Sequence, residues 1–180
     1  MKTPKFLLAA LMLFSVVATS CQKDEDINDP KDVNRSAVDN AKAENSFADL
    51  FKQASDGMMQ ASETVTGNRA MYSSLSGTAT LTIDPYDMTT FPKTVTLDFG
   101  STNVLCNDGN YRRGKIVMVA TGWSHDSLSV ITVTPDSYYV NDNLVEGLES
   151  FTCNGHNAAG HMNHDVYIDG TVTGIDGSMI

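Results

Sequence analysis

Two periods divide the chain. Phe47, Leu50, Phe51, Ala54 and Met58 recur at i, i+3, i+4, i+7 and i+11, the spacing of one helix face. Lys42, Glu44, Asn45, Asp49, Lys52 and Gln53 fall mostly on the rest of the wheel. Ser36-Ala37-Val38-Asp39 has capping-box spacing, and Asp56-Gly57 reads as an end or a kink. A helical segment is therefore predicted over 35–62, its apolar stripe better suited to the protein's own sheet than to a partner.

From Gln60 to Ser74 the chain is polar and weakly patterned, a connector. The period then falls to 2. Leu75, Gly77, Ala79, Leu81 and Ile83 alternate with Ser76, Thr78, Thr80 and Thr82, giving a strand with one apolar and one hydroxylated face. Asp84-Pro85 breaks it, and Val95, Leu97 and Phe99 carry the next. Asn107-Asp108-Gly109-Asn110 is a turn signal. Lys115 to Thr121 follows, apolar on both faces, which predicts a central strand covered on each side. Leu128 to Thr134 is a strand closed by Pro135-Asp136. Turns at Asn141-Asp142-Asn143 and Asn157-Ala158-Ala159-Gly160 separate the last strands. These short connections favour antiparallel neighbours, so 72–180 is an antiparallel β domain and the class is α+β, mostly β. The N-terminal helix packs on a meandering antiparallel sheet.

The remaining apolar run, Phe6 to Ala18, lies behind Lys2 and Lys5 and is too short to span a bilayer comfortably, which takes about 20 residues. It ends in Ala18-Thr19-Ser20-Cys21, which resembles the lipobox of bacterial lipoproteins, with Ala18 where the strict pattern prefers leucine. Residues 1–20 thus read as a lipoprotein signal peptide, 21–34 as a flexible polar tether, and Cys21 as the lipidation site. A diacylglycerol and an amide-linked palmitate there would anchor the chain stably, since each buried CH₂ contributes about 0.8 kcal/mol. Gln22-Lys23-Asp24-Glu25-Asp26 resembles the surface-export signal of lipoproteins in Bacteroidota, which places the protein on the outer membrane, at the cell surface. The periplasmic leaflet is the alternative to surface export, and ordinary secretion the alternative to lipidation.

Charge narrows the partners. Twelve Lys+Arg against 22 Asp+Glu give −10, and loss of Lys2 and Lys5 with the leader leaves −12. Such a surface repels phosphate backbones, so nucleic acid is not an expected partner. The roughly 160 residues that remain suffice for one domain with its own core.

Phe91–Gly100 (FPKTVTLDFG), Arg112–Ile116 (RRGKI) and Val130–Gly147 (VITVTPDSYYVNDNLVEG) resemble small uncharacterised surface lipoproteins common in Bacteroidota. There a DFG strand end, an R-x-G-K-I strand and a Y-V-N-x-N-x-V-E-G hairpin follow in this order. The resemblance covers roughly Phe91 to Gly174 and supplies no activity and no functional residues. Five residues, Ser101 to Leu105, separate the DFG from Cys106, where the pattern has a Gly-Cys soon after the DFG. Such proteins also tend to continue beyond this length, and the Asp176-Gly177 turn suggests further strands.

Candidate chemistry is sparse. Cys153, His156, His161 and His164 invite a zinc reading. A four-residue loop at Asn157–Gly160 sets His156 against His161 and Cys153 against His164, on opposite faces. Four ligands then converge only through a bulge, which leaves His156 and His161 as weak metal candidates. The Cys153 face, with Phe151, Val166 and Ile168, is the one expected to be buried. Cys106 and Cys153 are disulfide candidates in an oxidising envelope, with two buried free thiols as the alternative. Ser124-His125-Asp126 reads as a turn rather than a triad. Trp123, Tyr138 and Tyr139 suggest a sugar-stacking platform only weakly. No catalytic residue and no cofactor is indicated.

The expected function is accordingly a lipid-anchored envelope protein, a non-enzymatic structural or binding domain for a glycan or an envelope protein. A fimbrial subunit clipped after an arginine such as Arg35 is a variant of it. An envelope enzyme or metal protein built on the His/Cys cluster is the alternative.

Overall fold

The computed structural model of the chain describes residues 30–67 and 79–180. The leader, Cys21, most of the tether, and Leu75 and Gly77 of the first predicted strand lie outside them. One helix, α1 (Pro30–Thr66), precedes seven strands: β1 (Thr80–Asp84), β2 (Lys93–Asp98), β3 (Val104–Leu105), β4 (Tyr111–Ala120), β5 (Val130–Val140), β6 (Asn143–His156) and β7 (Met162–Thr173). All pairs are antiparallel, in the order β1-β2-β4-β5-β6-β7, with β3 beside β4. The fold is α+β, mostly β, one helix on a meander. Val38–Ile180 forms one compact unit, and the helix residues 30–37 belong to a second.

The helix is longer than the predicted 35–62 at both ends. It begins at Pro30, where a missing N–H costs nothing in a first turn, so Ser36 and Asp39 lie inside it instead of capping it. It also passes through Gly57 and runs to Thr66, ending at Gly67 with φ +78°. Gly57 is retained for closeness: a Cβ there would lie 3.0 Å from Leu97 Cδ1 and 3.2 Å from Met118 Cε. Close approach to β2 and β4 outweighs the roughly 1 kcal/mol that glycine costs a helix. The predicted stripe is the buried face, with Leu50, Ala54 and Met58 fully buried and Ala61 added.

The core lies between that face and one side of the sheet. Val95 and Leu97, then Ile116 and Met118, then Ile131 and Val133, are buried in step across β2, β4 and β5. β4 is central, as expected, yet only one of its faces is covered. Val119, on the other face, is 43% exposed among threonines such as Thr94 and Thr132. A single helix can cover one side only, and the second apolar row stays at the surface.

Pro135-Asp136 does not end its strand. β5 continues through it as a bulge, shifting register against both neighbours, with Ser137 at φ +50°. Proline is tolerated where a bulge interrupts the ladder. Gly114 faces the bulge at φ +86°, where a Cβ would sit 1.9 Å from the Ser137 carbonyl oxygen. The glycine of R-x-G-K-I is therefore a requirement of backbone against backbone.

Candidate functional site

The described residues form a cleft of about 540 Å³ where the first half of α1 meets the turns at one end of the sheet. Its rim carries Lys42, Asn45 and Lys52 from the helix and Asn110, Asn141 and Asn143 from the turns. Asn141 and Asp142 adopt φ values of +49° and +64°, the geometry of a tight two-residue hairpin turn. The Asn141 carboxamide oxygen accepts from the Tyr111 N–H at 3.0 Å, and its amide donates to Asn110 Oδ1 at 2.8 Å. The two turns are thereby tied into one wall.

Beneath that wall is a charged network. The Arg112 guanidinium, fully buried, donates to Asp49 through Nε at 3.1 Å and through Nη2. It also donates to both oxygens of Asp108, at 2.9 and 2.6 Å. The Tyr138 hydroxyl, likewise buried, donates to Asp49 Oδ2 at 2.7 Å. Hydrogen bonding to Arg112 holds the Asp108 carboxyl well below the usual carboxylate range. Burial, followed by the charge of Asp49, pushes the Tyr138 hydroxyl well above its ordinary value. Burial alone would lower Arg112, but its two carboxylates more than reverse that and keep it charged. The arrangement clamps helix to sheet and leaves the amides, the two lysines and the outer carboxylate edges at the cleft mouth.

Sequence reasoning left Arg112 and Asp49 unassigned. Arg112 shares strand parity with Ile116, Met118 and Ala120, and that buried parity was the available signal. Nothing comparable pointed to its partner, since Asp49 is 63 residues away along the chain.

The predicted site residues are placed as follows. Cys153 does pair with His164, because a bulge in β6 offsets a turn one residue longer than expected. His156 stands opposite Met162, not His161, because Asn154-Gly155 form a bulge, Gly155 having φ +77°. His156 and His161 are both exposed at the hairpin end. The His164 ring packs edge-on to Phe51 and Phe151, with centroids 6.3 and 5.9 Å away. Among the described residues no group of three or more His, Cys, Asp or Glu side chains is arranged to hold a metal ion.

Cys106 and Cys153 are free and buried. Cys106 lies beside the Tyr111–Arg112 end of β4, which pairs with Val140 of β5, whereas Cys153 adjoins Ser129 at the other end. Eleven residues of β5 lie between these ends, about 30 Å, far beyond the reach of a disulfide. The two cysteines are not brought together.

Nor do the aromatics share a platform. Trp123 is buried, its indole N–H donating to the Met88 carbonyl at 3.0 Å, and Tyr138 is buried in the charged network. Tyr139 is on the other face of the sheet, with the Arg113 guanidinium 3.7 Å from its ring centroid. Ser124-His125-Asp126 is a turn, closed by the Asp126 carboxylate accepting from the Trp123 N–H at 2.8 Å. Val166 and Ile168, expected to be buried beside Phe151, are 46% and 44% exposed. The helix reaches this edge strand through Phe51 at His164 and Phe47 at Gly170, and leaves the two positions between them half exposed.

No described helix is long and apolar enough to cross a membrane. Comparison of the chain with protein-family models, with curated proteins and with solved structures finds no match.

Proposed function

We propose that the protein is a lipid-anchored component of the cell envelope, held at the outer-membrane surface through an acylated Cys21. Its folded unit acts there as a non-enzymatic structural or binding domain, akin to the small surface lipoproteins that the DFG, R-x-G-K-I and Y-V-N-x-N-x-V-E-G segments resemble. The observation that carries this reading is Cys21 itself, directly behind a basic start, a short apolar run and small residues, and ahead of a lysine-plus-acid run. The cleft supports a binding role. Its amides, ammonium groups and carboxylate edges suit a hydroxyl-rich ligand such as a glycan, or the polar surface of an envelope protein.

Replacing Cys21 by serine tests the anchor. Palmitate incorporation is expected to vanish and the product to move from the membrane to the soluble fraction. A Cys21→Ser product still membrane-bound, with its precursor trimmed as before, would refute the proposal.

A further inference from the structure

Most acceptors of the cleft are occupied, and its cations are not. Each Asp108 carboxyl oxygen accepts from Arg112 and, at 3.1 Å, from Asn110, one through the backbone N–H and the other through the carboxamide. Asp49 accepts from Arg112 twice and from Tyr138. Asn141 donates to Asn110, and Asn143 donates to the carbonyls of Val140 and Asn141, both at 3.2 Å. The wall of turns thus satisfies itself. The helix edge does not. Lys42 and Asn45 are exposed and have no hydrogen bond or ion pair among the described residues. Lys52, its side chain 57% exposed, donates to Asp56 at 2.9 Å and keeps the other two of its three N–H donors. The 174–180 segment belongs to neither wall, since Met179 and Ile180 lie against Thr173 and Val172.

We propose that the cleft takes an acidic oligosaccharide, its anionic groups meeting Lys42 and Lys52 and its hydroxyls meeting Asn45 and the Asn143 carboxamide oxygen. This rests on the reading of the cleft as a binding site and narrows its ligand. Lys42, Asn45, Asp49 and Lys52 fall at i, i+3, i+7 and i+10, along one edge of α1. The two lysines therefore rise from points about 15 Å apart along the helix axis. An extended chain with repeated anionic groups serves both, whereas a single small anion serves one. A neutral sugar leaves both ammonium groups without a countercharge. The chain as a whole carries −10, yet at the cleft Lys42, Lys52 and Arg112 match Asp49, Asp56 and Asp108. The cleft is thus a gap in an otherwise negative surface, where an anionic chain escapes the general repulsion. Its volume, about 540 Å³, is in the range of ligand clefts. An ammonium is a compact point charge with rotatable donors, so carboxylate and sulfate groups are both accepted.

The test is calorimetric titration of the full chain carrying Cys21→Ser, which keeps it off membranes. The probes are a galacturonate tetramer and its methyl ester, and a sulfated galactose tetramer and its unsulfated form. At least one acidic chain is expected to bind, and its uncharged counterpart about tenfold more weakly, the scale of one hydrogen bond to a charged group. Binding of only one acidic chain identifies the anionic group. Lys42→Gln should weaken binding about tenfold, and Lys52→Gln by less, since Asp56 already holds Lys52. Asp56→Asn, which releases Lys52, should strengthen it. Lys115→Gln removes the same charge from the opposite face of the sheet, where Lys115 pairs with Asp98 at 3.2 Å, and should leave binding unchanged. All three lysines are exposed, so the fold does not depend on them. An uncharged chain bound as tightly as its acidic counterpart overturns the proposal and leaves the glycan reading standing. Binding indifferent to Lys42→Gln, or weakened as much by Lys115→Gln, overturns the assignment to this cleft. Binding of none of the four overturns the proposal together with the glycan reading, while the anchor at Cys21 is judged by fractionation alone.

Discussion

Glu149→Gln should stabilise this protein at pH 8 and leave it unchanged at pH 4. Glu149 lies on the helix-side face of β6, between Val133 and Ile168, and is fully buried. Among the described residues neither carboxyl oxygen has a hydrogen-bond partner. Burial pushes the carboxyl from its ordinary 4.5 up to about 7. Below pH 4.5 folded and unfolded chains both hold the proton, and its burial costs nothing in charge. Between pH 4.5 and 7 the unfolded chain releases the proton while the folded one keeps it, so stability falls as pH rises. Above 7 the full cost stands, about 3 kcal/mol at 1.36 kcal/mol per pH unit. Glutamine keeps the shape without the charge, so the difference between variant and parent isolates this group from other carboxylates. Asp98 and Asp108, held low by their partners, lose their contribution in acid equally in both proteins. Urea unfolding at pH 4 and pH 8 measures the difference. A gain of the same size at both values, or none at pH 8, would refute the argument that an unpaired carboxylate is buried here.

Arg112→Ala strands the Asp49 carboxylate beneath the helix and should cost about 3–5 kcal/mol; adding Asp49→Ala should cost less than the two singles combined, as urea midpoints will show. Gly114→Ala must place a Cβ 1.9 Å from a carbonyl oxygen. Gly109→Ala shares a positive φ but meets nothing within 4 Å, so it should cost only the ~1–2 kcal/mol of the backbone conformation, and Gly114→Ala several more by thermal melting. In the Cys21→Ser chain, thiol titration should find Cys106 and Cys153 inert until unfolding and reactive afterwards, and reductant should not move the melting temperature. A drop in melting temperature with reductant would show them bonded.

The sequence by itself determined what repeats locally. A 3.6-residue period marked the helix face from Phe47 to Met58 and a period of two marked the strands, because burial of one face imprints its geometry on neighbouring residues. Cys153 does stand opposite His164 as expected, but by a turn register shifted by one and a bulge at Asn154-Gly155 that restores it. What it left undetermined depended on distant partners. Gly57 reads as a helix breaker until Leu97 and Met118 are seen to fill the space that a side chain would need. Pro135 reads as a strand end until Gly114 is found facing the bulge. Arg112 and Asp49 look like ordinary surface charges until the helix lies on the sheet. The second apolar row of β4 predicted a cover that one helix cannot provide, whereas Val166 and Ile168 lie on the helix side of the edge strand and are still half exposed. Side-chain period follows from the chain itself, whereas coverage, ion pairing and close backbone approach are settled only when segments far apart in sequence share one volume.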